Sequence, residues 1–410
     1  MITKTKSGEN LSRILQKAYL DMHMRASKDA FVIWIAINVP AELFLGFDNV
    51  VYCVPESHAA LNAAKGVGSL QCEKAENLGY SMDLCSYARI DIGCVSDGGK
   101  DSPTFGLPKP DLLISNTNNC SLLVKWFDVH HRELNVPHFI LDIPFCYEPQ
   151  KKKDLDYISY QFQEMIHLIE TMSGQSFNLD KAKQAVLHTN RAIYFFKKFL
   201  DLACNKPSGI TAFDSFVHMA PALVLRGTKE FEEHVELLAK ETESQVNNGI
   251  FPVPNEKYRL FWDNIAPWHQ LRNMSKRLSE LNVNIIGATY TSCIGSVEGS
   301  FDFYPYNDNP LTYLARTQNA YICPHGIQLR RQALISAVKR LSVDGVVFSS
   351  NRSCKPYSIF QIDQQSYIEH TLGVPSVMID VDHADNRNYN EETVFLKIEA
   401  LLERIETIKY

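Results

Sequence analysis

Leu11, Ile14, Leu15, Ala18, Tyr19 and Met22 recur at helical spacing, which predicts an amphipathic helix near the start of the chain. The pattern then changes to short continuous apolar runs. Phe31–Ile37, Val50–Val54, Asp111–Ser115 and His138–Ile143 read as strands buried on both faces. Between them, Pro55–Lys65, Ser69–Leu78, Ser81–Gly93 and Leu122–Leu134 have helical spacing, with Ser81 as the N-cap of the third. Pro40 opens one more helix after the first strand, and Asp97–Lys109 is a turn-rich loop. Strand and helix alternating at these lengths predict a parallel sheet with helices on its faces.

From about Leu155 to Glu243 the strand signal disappears. Ile158, Phe162, Ile166, Leu168 and Ile169 form one helical stripe, and Val186, Ile193, Phe196 and Leu200 another. The acidic stretch Glu230–Glu243 reads as a solvated helix face. After about Asn255 the first pattern returns. Arg259–Trp262, Asn284–Tyr290, Gly345–Ser350 and Ser376–Val381 read as strands, and Leu329–Leu341, Tyr357–Leu372 and Glu391–Ile408 as helices.

The two strand-rich parts resemble each other. Asp111–Ser115 and Asn116 lead to Cys120; Gly345–Ser350 and Asn351 lead to Cys354. Asn135-Val136-Pro137 before Asp142 parallels Gly373-Val374-Pro375 before Asp380, and the cysteine-to-aspartate interval is 22 residues in one part and 26 in the other. Trp34 with Pro40 is echoed by Trp262 with Pro267. Three matches in the same order predict a duplicated unit. The expected fold is therefore α/β: two related parallel-sheet α/β modules, residues 1–150 and 256–410, with a helical insert, 151–255, between them.

Length agrees, since 410 residues exceed one ordinary domain. The net charge is 41 − 47 = −6, which excludes a broad basic footprint for nucleic acid. No secretory signal and no membrane-spanning run is legible, so the chain is expected in the cytoplasm with reduced thiols. Ten cysteines then need an account as core residues, nucleophiles or metal ligands, and no C-x-x-C pair occurs.

A lone buried cysteine usually serves as a small hydrophobe, and Cys53, Cys72, Cys204 and Cys323 are read so. Cys94, Cys146 and Cys293 lie near strand ends or loops and stay unassigned. Cys120 and Cys354 differ, because each follows the carboxyl end of a parallel strand, where such sheets bind ligands. If the modules face each other, both point into one cleft. Cys85 is a third candidate, near a helix start that lowers a thiol pKa. Three thiolates without a histidine suit a soft metal or an iron–sulfur cluster, and three on a four-iron cluster leave one iron open.

Other chemistries lack their motifs. Gly98-Gly99-Lys100-Asp101-Ser102 does not complete a phosphate loop, and no G-x-G-x-x-G, G-x-S-x-G or H-E-x-x-H is present. Glu42 and Glu56 sit at helix starts after strands. For Glu42 the helix dipole is a sufficient reason. Glu56 follows a strand end on the module that carries Cys85 and Cys120, where a desolvated carboxyl can act as general acid or base.

The runs Cys53–Ala60, Asp83–Arg89, the asparagine-rich approach to Cys120 with Lys125-Trp126, and Ser350–Lys355 resemble the 2-hydroxyacyl-CoA dehydratase and benzoyl-CoA reductase family. The resemblance spans essentially the whole chain and is sharpest at the three cysteine segments. It implies an oxygen-sensitive hydro-lyase subunit acting on an acyl-CoA, with a [4Fe-4S] cluster on Cys85, Cys120 and Cys354. It also implies a smaller homologous second subunit and a separate ATP-hydrolysing iron–sulfur activator that donates one electron. In the dehydratases a ketyl radical anion of the substrate then expels the 2-hydroxyl, and the electron is recycled after loss of a β-proton. Glu56 is the residue expected to assist proton movement. One departure is Ile35-Ala36-Ile37-Asn38, where some dehydratases carry small hydroxyl residues; Asn38 is the candidate substitute. The alternatives are an aromatic-ring-reducing subunit of the same family, a non-catalytic electron-transfer subunit with four thiolates, and a plain binding protein with core cysteines.

Overall fold

A computed structural model of the chain describes residues 5–117, 119–292, 306, 309–318 and 325–409. Among the described residues eight strands form two four-stranded, wholly parallel sheets. The first contains β1 (Phe31–Ile35), β2 (Val50–Cys53), β3 (Leu112–Asn116) and β4 (His138–Leu141) in the order β2-β1-β3-β4. The second contains β5 (Tyr258–Asp263), β6 (Val283–Ala288), β7 (Gly345–Asn351) and β8 (Ser376–Val381) in the order β6-β5-β7-β8. The two orders are the same, so the duplication seen in the sequence is a duplication of topology.

It extends to single hydrogen bonds. The N–H of Val32 donates to Asp111 Oδ2 at 2.8 Å, and the N–H of Arg259 donates to Asp344 Oδ2 at 2.8 Å. Each aspartate stands immediately before a central strand, β3 or β7, and pins its start to the neighbouring strand. The same register sets Ile33 beside Leu112 and Leu260 beside Gly345. It therefore aligns Trp34 with Phe261 and Ile35 with Trp262, one position away from the echo read in the sequence. Side chains alternate across a strand, so the two tryptophans lie on opposite sheet faces. Pro40 and Pro267 keep their match.

Local chemistry moved other boundaries. The third helix begins at Ser86, because Ser81 closes a turn of its own: its Oγ accepts from the Asp83 N–H at 3.2 Å and its carbonyl from the Leu84 N–H at 3.2 Å. Cys85 is thereby the N-cap. Pro40 starts a short 3-10 turn, Ala41–Gly46, in place of an α-helix. Thr289 and Tyr290 leave β6 for a helical turn, and the helix expected over 357–372 divides into Lys355–Ser358 and Gln361–Leu372.

Residues 151–255 are helical, chiefly Lys152–Ser173, Leu179–Asp201, Ala212–His218 and Lys229–Asn247. Ile158, Phe162, Met165 and Ile169 pack into the core around the first sheet, whereas Phe213, Phe216, Phe231 and Val235 pack into the core around the second. The helix Leu179–Asp201 serves both, with Val186 in one and Ile193 and Phe196 in the other. The acidic helix turns Phe231, Val235 and Leu238 inward and exposes Glu230, Glu233 and Glu243, while Glu232 is held by His188 and Glu241 accepts from the Lys6 and Ser7 N–H groups. Among the described residues no helix is long and apolar enough to cross a membrane.

Candidate active site

Cys85, Cys120 and Cys354 line one cleft, together with Glu56. Including its mouth the cleft has an empty volume of about 1070 Å³. It lies at the carboxyl ends of the strands, and both modules contribute to it. Cys85 precedes the helix Ser86–Ser96, where the Tyr87 and Ala88 N–H groups reach its sulfur. Cys120 precedes the helix Leu123–Leu134 and is reached by the N–H groups of Leu122 and Leu123. Cys354 follows β7 and caps the turn Lys355–Ser358.

The helix starts are present as expected, but their effect on the thiols is outweighed. Burial raises Cys85 to about 12, with Cys120 adding to the rise, and burial also raises Cys120. Thiolate form at these positions therefore calls for a positive centre beside them. An iron–sulfur cluster fits that donor set. It is held by thiolates at its corners, so its ligands surround a cavity instead of converging on a point. Among the described residues no group of three or more His, Cys, Asp or Glu closes as a single-ion site would.

Glu56 is the second residue of the helix Pro55–Ala64 and is buried on the cleft wall. Its Oε1 accepts from the Ile37 N–H at 3.0 Å, while buried Oε2 has no hydrogen-bond partner among the described residues. Burial pushes its pKa from 4.5 up to about 7, against the opposing pull of the Ile37 N–H. A carboxyl poised there exchanges a proton near neutral pH. Glu42 has a different role from dipole stabilisation alone. It is fully buried and its Oε1 accepts from Arg226 Nε at 2.8 Å, on the wall of the same cleft. Asn38 also lines the cleft; its Nδ2 donates to Asn119 Oδ1 at 2.8 Å and so ties the end of β1 to the Cys120 loop.

His383, just past β8, escaped the sequence reading. Its Nε2 lies 3.0 Å from Ser86 Oγ and 3.7 Å from Cys85 Sγ. Burial lowers its pKa, leaving a neutral ring whose tautomer sets which atom donates. The Ser86 N–H donates to Ser353 Oγ at 3.1 Å, and Ser353 Oγ donates to Asp382 Oδ2 at 2.6 Å. A chain of short contacts thus runs from one module's cysteine segment to the other's. Behind it lies a charged clamp. Buried Arg89 pairs with Glu76 at 2.6 Å and with Asp385 at 2.9 Å, and Arg387 pairs with the same two carboxylates, each at 2.6 Å. A signal for His383 existed only as the pair Asp382-His383 beyond a strand end.

The remaining cysteines divide. Cys53 and Cys72 are buried, as read, but Cys204 is exposed at the end of a short 3-10 turn and is no core residue. Cys94 and Cys146 are buried away from the cleft lining. Cys293 and Cys323 lie outside the described residues.

Comparison with known proteins places the chain in a family. Residues 36–405 match the family model described as 2-hydroxyglutaryl-CoA dehydratase, D-component. The chain belongs to that family. It is 32% identical to the (R)-phenyllactyl-CoA dehydratase alpha subunit of Clostridium sporogenes, over 90% of this chain and 88% of that protein. It is 30% identical to the (R)-2-hydroxyisocaproyl-CoA dehydratase alpha subunit of Clostridioides difficile, over 100% of this chain and 98% of that protein. It is 26% identical to a benzoyl-CoA reductase subunit of Thauera aromatica, over 89% of this chain and 86% of that protein. The family resemblance carried by the cysteine segments is thus met, and these relatives are named as subunits of larger enzymes.

Proposed function

We propose that this chain is the cluster-bearing, substrate-binding subunit of an (R)-2-hydroxyacyl-CoA dehydratase, which eliminates water to give a 2-enoyl-CoA. The observation that carries the proposal is the cleft itself: three cysteines drawn from two modules and a protonatable carboxyl share one apolar wall. Cys85, Cys120 and Cys354 would hold a [4Fe-4S] cluster, and the cluster would supply one-electron chemistry and an iron with an open position. Glu56 holds or delivers a proton at Oε2, since Oε1 is fixed by Ile37. Asn38 donates one Nδ2 proton to Asn119 on the Cys120 loop, which orients its amide on the cleft wall as the candidate partner of a leaving hydroxyl. The apolar residues around the cysteines exclude water, which strengthens every charge interaction inside.

A second cleft, with an empty volume of about 1910 Å³, shares Ile37, Glu56, Tyr87, Met219, Leu223 and Tyr290 with the first. It offers the long arm of a CoA thioester a path inward. In this reading a homologous second subunit and an ATP-hydrolysing activator complete the system in the cytoplasm. The test is anaerobic purification with iron, sulfide and EPR measurement, followed by assay with activator, ATP and reductant. Iron present and catalytic electron use support a dehydratase. Stoichiometric reductant use would assign ring reduction instead, and absence of iron, or full activity in Cys120→Ala, would overturn the site.

A further inference from the structure

The two modules supply the cysteines and Glu56, but one wall of the cleft comes from the helical region. Met219 caps the helix Ala212–His218, Ala222 and Leu223 lie in the short helix Pro221–Val224, and Arg226 follows it; together they form one face of the cleft. Leu122, Leu123, Trp126 and Ile265 add further apolar lining. Among the described lining residues the carboxyl and the guanidinium are Glu56 and Arg226, beside the buried imidazole of His383. Arg226 is already neutralised: buried Glu42 holds its Nε at 2.8 Å, and a second anion brought there would face that carboxylate. A substrate carboxylate would therefore lose water without gaining an uncompensated cation.

Resting on the dehydratase reading, we infer that the acyl side chain of the substrate is a bulky, uncharged hydrocarbon group, aryl or branched alkyl, held against the Met219–Leu223 face. A methyl side chain would leave that wall without a partner, and each buried methylene is worth roughly fourfold in affinity. Ala222, 3% exposed, is the smallest side chain on the face and sets its depth. Discrimination here comes from apolar contact and from the closed Glu42–Arg226 pair together.

The experiment measures binding and kcat/KM of the anaerobic holoenzyme for four (R)-2-hydroxyacyl-CoA thioesters. Their side chains are benzyl, isobutyl, methyl and carboxyethyl. Binding is read by calorimetry, without turnover. The benzyl or isobutyl thioester is expected to bind at least about tenfold more tightly than the methyl one, with the carboxyethyl thioester weakest. Equal or tighter binding of the methyl or carboxyethyl thioester overturns the inference while leaving the dehydratase reading intact. Binding of none of the four overturns both. Ala222→Phe is expected to lose at least about tenfold for the benzyl thioester and to retain the methyl one; equal loss for both contradicts the assignment of this face. If that variant does not fold, the four-thioester series on the unaltered protein decides alone.

Discussion

Just beyond the carboxyl end of β2 the first module places Glu56; just beyond the matching strand, β6, the second places Tyr290. Both line the cleft. The frames are alike, with the same strand order and the same aspartate pinning each central strand, Asp111 in one and Asp344 in the other. The chemistry is divided. The first module brings Cys85, Cys120 and Glu56, and the second brings Cys354 and His383. The difference teaches that duplication preserved the strand order, the pinning aspartates and a cysteine after each central strand, and released the residues past β2 and β6. Residues inside the strands answer to two packed faces, whereas those beyond the ends answer to the cleft.

The strongest way to break this division is Cys354→Ala. One module alone is then left with two thiols, and bound iron, sulfide and activity are expected to fall to background. Retention of the full cluster would mean that the second module contributes frame only. Next is Glu56→Gln against Tyr290→Phe. The first is expected to lower kcat by about 10²–10⁴-fold with acyl-CoA binding kept, and the second to cost far less. A reversed order would exchange the roles of the modules.

Glu56 also carries a pH signature. Its folded-state pKa of about 7 lies above its ordinary 4.5. The stabilisation from burying the neutral acid is complete below the lower value and is lost as pH rises through the higher. Relative to Glu56→Gln, the native protein should lose up to about 3 kcal/mol between those limits. Urea midpoints of both proteins at pH 4.5 and pH 8 would show it; parallel curves would contradict the burial of this carboxyl.

The modules are also held together unequally. Arg89 is fully buried between Glu76 and Asp385, so Arg89→Ala removes the buried partner of both, leaves them to the partly exposed Arg387, and is expected to cost up to about 3–5 kcal/mol of unfolding free energy. Arg387→Ala, at a partly exposed site, should cost about 1 kcal/mol or less. The finest comparison is Asp111→Ala against Asp344→Ala. Each removes one aspartate bond to a buried strand N–H, and each is expected to cost about 1–3 kcal/mol by denaturant titration. Unequal costs would show that the frames are less alike than their hydrogen bonds.

Much of this was legible along the chain. The strands are short apolar runs bounded by turn residues, and Cys120 and Cys354 stand in matching places after them. Cys85 was legible as lying near a helix start, although the helix begins at Ser86 and not after Ser81, because a serine can close a local turn as readily as cap a helix. The tryptophan echo misled by one position, since a one-residue shift leaves a strand's composition unchanged and reverses its face. Cys204 read as core because composition carries no exposure.

By itself the sequence determined the parallel α/β architecture and its duplication, and singled out three cysteines that the fold brings to one cleft. These depend on neighbours a few residues apart, through side-chain period and turn chemistry. Only the tertiary structure decided that burial raises the Glu56 pKa, that His383 stands at Cys85 across 298 residues, and that Glu42 closes Arg226 across 184. Those properties arise from burial and from pairs of groups brought together by folding. Neither desolvation nor a long-range partner leaves a mark on local pattern, and both set the charge of the cleft.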